Sequence, residues 1–216
     1  MSGKTVFQPS LVDALPEGFS LFRRMVAPAM QVRMVELARE LCHVAPLITP
    51  RTRYGTSFHL RLTSWGKWGW LSDANGYRYE RLHPVTQQPW PEIPAEVQTL
   101  MLAASAEAGH SDFDLQTVLC NFYDPESGRL GLHQDRSELN KTAPIVTISL
   151  GDSCVFAIGG RSQSDPVQEI LLDSGDVLVQ GGPARTFFHG VMRLMPNSST
   201  LLKQGGRISL TGRTYQ

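Results

Sequence analysis

Two histidines and one aspartate have the types and spacing of a metal site. His133 and Asp135 stand two residues apart in the run Leu-His-Gln-Asp, and His189 follows later in the run Phe-Phe-His-Gly. Residues two apart in a β-strand point to the same face, so His133 and Asp135 are predicted to project together. Two imidazoles and one carboxylate form the facial triad that binds non-haem Fe(II) and leaves coordination positions open. An isolated His-x-Asp pair is weak evidence for a metal site, so this prediction depends on the residues around the pair.

Two arginines near the end of the sequence are spaced to share one face of a strand. Arg207 and Arg213 are separated by an even number of residues, so both guanidinium groups point to the same side, together with Ser209 and Thr211. Two inward arginines need anions to neutralise them, and arginine binds a carboxylate through two parallel hydrogen bonds. A dicarboxylate ligand is therefore predicted here. The alternative is a half-exposed edge strand with two solvated arginines.

An alternating run upstream of the His-x-Asp pair offers two more polar groups. Asn121 and Tyr123 share one face of a predicted strand, while Cys120 and Phe122 lie on the other face. An amide and a phenol can hydrogen-bond the same ligand, so Asn121 and Tyr123 are predicted to contact it. The alternative is a pair of ordinary core residues bonded to the backbone.

The elements that position these residues are mainly strands. Short β-rich runs separated by glycine turns predict strands over 117–123, 145–150, 154–158, 168–172, 176–180 and 207–215. This pattern predicts a sandwich or jelly roll. Apolar residues at helical spacing predict two helices packed outside it, one between Pro28 and Val44 and one from about Pro94 to Gly109.

Composition limits the class of protein. The chain has 216 residues, of which 41% are hydrophobic and 19% charged, which suits one folded domain and excludes intrinsic disorder. Its 20 Lys and Arg residues balance 20 Asp and Glu residues, so a uniformly basic nucleic-acid-binding surface is excluded. The charge is uneven, however. Between Ser20 and Arg81 ten cations face four anions, a balance of +6 that suggests an anionic partner for this third of the chain.

Cysteine usage and apolar runs indicate the compartment. The three cysteines form no C-x-x-C pair, which argues against a disulfide framework and predicts a reducing compartment. No stretch approaches 18 consecutive apolar residues, and the N-terminal run MSGKTVFQPS lacks a secretory pattern. We therefore expect a cytoplasmic protein without membrane association. Nothing indicates an obligate oligomer, and we expect a monomer.

Aromatic residues are concentrated in the basic part of the chain. All four tryptophans lie in one stretch, at Trp65, Trp68, Trp70 and Trp90, among several arginines. Aromatic rings stack on bases and cations attract phosphates, so this segment predicts contact with a flipped or single-stranded nucleotide. Most of these tryptophans could equally fill the core. Trp70 is predicted to be the exposed stacking residue.

Taken in order, several runs resemble the bacterial AlkB alkylation-repair dioxygenases. The runs are 121–125 (NFYDP), 132–135 (LHQD), 144–151 (PIVTISLG), 175–179 (GDVLV), 188–190 (FHG) and 207–213 (RISLTGR). The resemblance implies a mainly β (α+β) fold, a double-stranded β-helix (jelly roll) with N-terminal helices and a nucleotide-recognition lid. In this interpretation one integrated catalytic domain has two parts. Residues 1–91 carry a helix and the lid, and residues 92–216 carry a helix and the jelly-roll core.

The resemblance also implies cofactors and roles. Such an enzyme uses Fe(II), with 2-oxoglutarate and O₂ as cosubstrates. The residues that match iron ligands are His133, Asp135 and His189. Those that match 2-oxoglutarate positions are Asn121, Tyr123, Arg207 and Arg213, with Phe122 and Ser209 counted beside them in the same strands. Arg207 is expected to pair with the distal carboxylate, and Arg213 to lie nearer the iron as part of the catalytic group.

The expected substrate contacts come from the lid and from positions where the chain departs from the family pattern. Trp70 and Tyr77 match lid positions near the extruded base and its backbone. Ser137 stands where the family commonly has an acid, Ser209 where it has an asparagine, and Gln163 where it has a basic residue. These departures affect the expected base preference and details of cosubstrate binding.

The leading hypothesis is oxidative demethylation of N-alkylated nucleobases such as 1-methyladenine and 3-methylcytosine. The substrate would be DNA or RNA, single-stranded or with a flipped base, and the products formaldehyde, succinate and CO₂. One alternative is an Fe(II)/2-oxoglutarate hydroxylase of a protein, amino acid or lipid. Another is a non-enzymatic jelly-roll binding module. The basic, tryptophan-rich segment favours the nucleic acid.

Overall fold

The fold is built mainly from short antiparallel strands. The structure is a computed structural model that describes residues 14–216. Its strands are β1 (Phe19–Phe22), β2 (Arg61–Gly66), β3 (Gly69–Asp73), β4 (Gly76–Glu80), β5 (Thr117–Tyr123), β6 (Leu130–His133), β7 (Ile145–Gly151), β8 (Cys154–Ile158), β9 (Gln168–Leu172), β10 (Val177–Gln180), β11 (His189–Leu194) and β12 (Arg207–Arg213). The helices are α1 (Pro28–Val44) and α2 (Ala95–Glu107), and a 3₁₀ turn spans Gly182–Thr186. The N-terminal run used above to predict the compartment lies outside the described residues.

Two sheets face each other and enclose the site. The larger has the strand order β1-β10-β7-β12-β5-β2, and the smaller has the order β6-β11-β8-β9. Side chains alternate along each strand, so one face of each sheet contributes to an apolar layer between them that includes Leu62, Ile158, Leu172 and Leu178. The predicted mainly β jelly-roll class is confirmed.

The helices cover the outer face of the larger sheet. Met34 and Leu41 from α1 and Met101 from α2 belong to the same buried cluster as Ile208 and Leu210 of β12. Both helices were predicted, and α1 has the predicted bounds because its apolar residues recur at helical spacing after a first-turn proline. No helix within residues 14–216 is long and apolar enough to cross a bilayer.

The six predicted strands all form, but the prediction omitted several others. The strand predicted over 207–215 ends at Arg213. The omitted strands are β1, β2, β3 and β4, whereas β6 and β11, which carry His133 and His189, were expected without stated bounds. Two of these, β1 and β2, form the edges of the larger sheet, so the N-terminal part of the chain contributes to the jelly roll itself. Short strands with mixed polarity carry a weak local signal, and here tertiary pairing decides their conformation.

The hairpin β3–β4 forms a separate two-stranded sheet. Trp70 pairs with Tyr79, and Ser72 pairs with Tyr77, so the aromatic residues of the hairpin share one face. On the opposite side Gly69 lies against the indole of Trp90. Trp65 and Trp90 are buried in the core. For these two tryptophans the alternative of core packing is therefore correct.

Contact between the hairpin and Trp90 depends on the absence of a side chain at Gly69. A methyl group there would overlap the indole ring, which is buried and donates its Nε1 hydrogen to the Glu80 carbonyl. We expect Gly69→Ala to lower the free energy of unfolding by about 1–3 kcal/mol, as overpacking usually does. Denaturant unfolding measures this change. Gly131→Ala is the matched control, since a Cβ there meets no atom within 4 Å. Equal stability of the two variants would contradict the prediction.

Candidate active site

Two neighbouring strands bring the two histidines together. In the pairing of β6 with β11, His133 lies directly opposite His189. His133 Nε2 lies 3.6 Å from Asp135 Oδ1, and His189 Nε2 lies 3.9 Å from Asp135 Oδ2. The potential ligand atoms of all three residues lie within 4.8 Å of one another. One ion can therefore contact all three.

The contacts that position Asp135 beside the histidines differ from the predicted ones. Strand β6 ends at His133, so the expectation that a continuous strand carries both residues on one face is wrong. Asp135 follows in an irregular segment, where Arg185 Nη1 donates to its carbonyl oxygen at 3.2 Å. A hydrogen bond to its backbone therefore holds Asp135 in place. Strand alternation, which was expected to position it, does not.

Hydrogen bonds orient both imidazoles towards the shared centre. His133 Nδ1 lies 2.9 Å from the Gly131 carbonyl oxygen, and His189 Nδ1 lies 3.1 Å from that of Phe187. A carbonyl can only accept, so Nδ1 carries a hydrogen and Nε2 is the nitrogen available to a metal, an arrangement typical of metal-binding histidines. Burial, with the neighbouring His133, lowers the pKa of His189 to about 4, so this imidazole is neutral at neutral pH.

An arginine keeps the carboxylate ionised. Burial alone would raise the pKa of Asp135, but the Arg213 guanidinium and the two imidazoles outweigh burial and hold that pKa far below its usual range. Arg213 donates from Nε and Nη2 to Asp135 Oδ2 at 3.0 and 2.7 Å. Two imidazoles and one anionic carboxylate, with ligand atoms that converge on one point, are the donor set that Fe(II) requires.

Arg207 is a buried cation with neutral partners. Strand β12 lies between β7 and β5, so the alternative of an edge strand with solvated arginines is wrong. Arg207 is 1% exposed and donates to Ser149 Oγ at 2.6 Å, to Ser209 Oγ at 3.3 Å and to the Asp152 carbonyl at 3.2 Å. Within residues 14–216 no carboxylate is found in ion-pair contact with this guanidinium. A buried charge without a counter-ion is costly, which suits an anion-binding position.

An inter-sheet cavity adjoins the metal-binding group. Its polar lining consists of Asn121, Tyr123, Gln180, Thr147, Ser209, Thr211, Arg213 and the two histidines. Arg207 does not line it, but Ser209, which accepts a hydrogen bond from Arg207, does. Burial raises the pKa of Tyr123, so its hydroxyl stays protonated and can donate a hydrogen bond into the cavity. Phe122 does not line this cavity. Its side chain lies on the helix side of β5, because alternation turns it away from Tyr123.

A second cavity, the substrate cavity, adjoins His133. It has a volume of about 130 Å³ and shares Asn121, Leu130, His133 and Arg213 with the inter-sheet cavity. The hairpin contributes Trp70 and Tyr77 to its wall, and the segment after β6 contributes Ser137 and Glu138. A group bound here would lie next to the candidate metal ligands.

Trp70 is half-buried, which corrects the expectation of an exposed residue. Its Nε1 donates to Ser137 Oγ at 3.2 Å, and the ring of Tyr77 stacks on it with centroids 5.6 Å apart. Phe58 contacts it edge-on. Gln163 is exposed in the loop between β8 and β9 and lines neither cavity.

The basic character of the N-terminal third is partly neutralised. Of its ten cations, four form ion pairs with carboxylates, namely Arg23, Arg33, Arg61 and Arg78. Arg53 lies in an exposed loop with its guanidinium over the ring of Tyr54, a tyrosine that is 79% exposed. The segment therefore offers fewer free cations to an anionic partner than its sequence suggests.

Three residues of the site were missed by sequence reasoning. Tyr79, Glu138 and Arg185 are each at least 93% buried, and both Tyr79 and Arg185 donate to the Glu138 carboxylate beside Asp135. Glu138 lies 59 residues after Tyr79 and 47 residues before Arg185, so no periodicity connects them. The only local signal was an acid placed three residues after Asp135.

Comparison with known proteins agrees with this geometry. The family model of the 2OG-Fe(II) oxygenase superfamily matches residues 18–213. The chain is 41% identical over 196 residues to the alpha-ketoglutarate-dependent dioxygenase AlkB homolog of Caulobacter vibrioides (strain NA1000 / CB15N), which covers 91% of this chain and 87% of the relative. It is 33% identical over 226 residues to the DNA N(6)-methyladenine demethylase ALKBH1D of Arabidopsis thaliana, covering 92% of this chain and 49% of that protein.

The fold is also found among solved structures. The structure of OsALKBH1 superposes with a TM-score of 0.80 at 27% identity, covering 94% of this chain and 100% of that chain. The chain belongs to the 2OG-Fe(II) oxygenase superfamily, and within it to the AlkB-type dioxygenases. It is therefore an Fe(II)- and 2-oxoglutarate-dependent enzyme that uses O₂, and the hypothesis of a non-enzymatic binding module is wrong.

Removal of the Asp135 carboxylate tests the metal assignment. Asp135→Ala deletes the anionic member of the group and removes two hydrogen bonds from Arg213. We expect turnover to be lost at saturating Fe(II), while far-ultraviolet circular dichroism still shows a folded protein. Asp112→Ala, a change of the same type at an exposed position, should keep wild-type turnover. Activity retained by Asp135→Ala would place the metal elsewhere.

Proposed function

We propose that this enzyme removes alkyl groups from the ring nitrogens of nucleobases in DNA or RNA. The observation that carries the proposal is the substrate cavity, where the aromatic side chains of the hairpin and the candidate metal ligands line one space. An aromatic ring offers a stacking surface to any base, worth about 1–3 kcal/mol. The relative ALKBH1D, named a DNA N(6)-methyladenine demethylase, supports a nucleic-acid substrate.

The inter-sheet cavity suits the cosubstrate. Arg207 would bind the distal carboxylate of 2-oxoglutarate, since its buried guanidinium has only neutral partners and Ser209 and Tyr123 lie on the same side. Asn121 and Arg213 line both cavities and would contact the end nearer the metal. The residues His133, Asp135 and His189 would hold the Fe(II).

The bound iron, with 2-oxoglutarate and O₂, supplies the oxidising chemistry that hydroxylates the alkyl carbon, with succinate and CO₂ as coproducts. A hydroxymethyl group on a ring nitrogen then separates as formaldehyde and leaves the restored base. The chain needs no nucleophilic side chain for this step. Its residues bind the base, hold it beside the metal ligands and exclude water.

The cavity favours a base that is out of the helical stack. A paired base is inaccessible inside a duplex, so we propose a single-stranded substrate or a flipped base, at a cost of a few kcal/mol for flipping. Cationic lesions such as 1-methyladenine and 3-methylcytosine gain from the aromatic face of Trp70. Ser137 carries no charge, and its hydroxyl accepts a hydrogen bond from Trp70, so its contribution to base preference differs from that of an acid. We propose that the enzyme acts as a monomer in the cytoplasm.

The proposed function is tested by product release. The purified protein with Fe(II), 2-oxoglutarate and O₂ is given a single-stranded oligonucleotide containing 1-methyladenine or 3-methylcytosine, and succinate and formaldehyde are measured. We expect both products in equal amounts, with the unmethylated oligonucleotide as the control. Failure of the methylated strands to raise succinate above this control would contradict the proposal.

Arg207→Lys tests the cosubstrate position. Lysine keeps the charge but loses the planar pair of donors. Hydrogen bonds to charged groups contribute about 1.5–3 kcal/mol, so the KM for 2-oxoglutarate should rise about tenfold or more. Arg39→Lys, an exposed change on α1, is the control. An unchanged KM in Arg207→Lys would place the distal carboxylate elsewhere.

Trp70→Ala tests the stacking surface. Loss of stacking worth about 1–3 kcal/mol should raise the KM for a methylated single-stranded oligonucleotide about fivefold to a hundredfold. Binding of 2-oxoglutarate should not change. Trp68→Ala is a matched control, since Trp68 packs against Arg81 and Tyr215 and lines neither of the two cavities at the histidines. Wild-type kinetics in Trp70→Ala would show that this indole is only a packing residue.

A further inference from the structure

A buried carboxylate beside the metal-binding group is surrounded by three donors. Glu138 is 3% exposed. Its Oε1 accepts a hydrogen bond from the Tyr79 hydroxyl at 2.6 Å and lies 3.5 Å from Arg213 Nε, and its Oε2 accepts from Arg185 Nη2 at 3.2 Å. Each of these partners is also buried. The carboxylate lines the substrate cavity but is already fully engaged by the protein.

The two arginines that contact Glu138 are the same two that contact Asp135. Arg213 donates to the Asp135 side chain, and Arg185 donates to the Asp135 main-chain carbonyl. One carboxylate thus fixes both guanidinium groups that position the candidate metal ligand. Because Asp135 lies beyond the end of β6, no strand pairing holds it, and these contacts replace that support.

The third donor connects this network to the hairpin. Tyr79 lies on β4, directly opposite Trp70 of β3. Burial raises the pKa of Tyr79 well above its usual value, so the hydroxyl remains a donor. A parallel contact joins Trp70 Nε1 to Ser137, the residue next to Glu138. The hairpin that lines the substrate cavity therefore has two hydrogen bonds to the segment that carries the metal ligand.

We propose that Glu138 is a positioning residue for Asp135, and that the Tyr79–Glu138 hydrogen bond couples the hairpin to the metal site. A nucleotide that fixes the position of the hairpin over the cavity also fixes the position of Glu138. Through Glu138 it fixes the two arginines and Asp135. Metal binding and nucleotide binding then strengthen each other, and by linkage the factor is the same in both directions. The coupling part of this inference rests on the proposed nucleic-acid function, whereas the role of Glu138 towards the metal does not.

The metal part is tested without nucleic acid. Co(II), a stand-in for Fe(II) with a visible spectrum, is titrated into the wild type and into Glu138→Gln. Groups that support metal ligands typically contribute about 10- to 100-fold in affinity, and we expect a loss of that size. An unchanged Co(II) affinity in a folded Glu138→Gln variant would overturn the role assigned to Glu138.

The coupling part is tested with a milder variant. Tyr79→Phe removes one hydroxyl and keeps the buried ring. Co(II) affinity is measured with and without a single-stranded oligonucleotide containing 1-methyladenine, in the presence of 2-oxoglutarate. In the wild type we expect the oligonucleotide to raise Co(II) affinity about fivefold or more, within the usual range of such couplings. In Tyr79→Phe the oligonucleotide should no longer change the affinity for Co(II).

A matched control separates coupling from packing. Tyr215→Phe makes the same change in a ring that packs 4.6 Å from the ring of Tyr79 and whose hydroxyl has no described hydrogen bond, so the coupling should persist. Coupling retained in Tyr79→Phe, or absent from the wild type when both ligands bind, would overturn the inference. Absence of oligonucleotide binding by the wild type would instead contradict the proposed function, and the coupling with it.

Discussion

The contact between Arg213 and Asp135 is the interaction on which the site depends. A carboxylate removed from water is costly unless a positive charge lies beside it. Arg213 supplies that charge through two hydrogen bonds to one oxygen. It can do so because β12 lies in the middle of the larger sheet and its last residue reaches the space between the sheets. The position of a central strand therefore determines the charge state of a residue in an irregular segment.

Much of this arrangement follows from side-chain alternation and much does not. Alternation correctly placed Arg207, Ser209 and Arg213 on the inner face of β12, and helical spacing gave the bounds of α1. It failed for Asp135, because β6 ends two residues earlier. The bond from Tyr79 to Glu138 crosses 59 residues of sequence, so it depends on the assembled fold and no local pattern contains it. Local rules predict the face on which a residue lies, and tertiary contacts decide its partner.

The two cavities differ in the residues that line them. The inter-sheet cavity is lined by Ser209, a partner of the buried Arg207, and the substrate cavity is lined by the hairpin, whose Tyr77 is 58% exposed. They meet at His133, which lines both. A small, doubly charged cosubstrate suits the inter-sheet cavity, since in the proposed arrangement its charge would compensate the buried Arg207. A base attached to a polymer suits the substrate cavity, because the rest of the strand must remain in solvent.

The burial of Arg207 without a protein counter-ion connects the stability of the folded state with binding of the proposed cosubstrate. Folding places this guanidinium among serine hydroxyls and main-chain carbonyls without a protein counter-ion, an electrostatic cost that the proposed binding of a dicarboxylate would offset. Any ligand that binds only the folded state stabilises it by mass action, by about 2.7 kcal/mol when its concentration is a hundred times its Kd. With the proposed binding at Arg207, 2-oxoglutarate would therefore raise the free energy of unfolding of the enzyme as well as take part in its reaction.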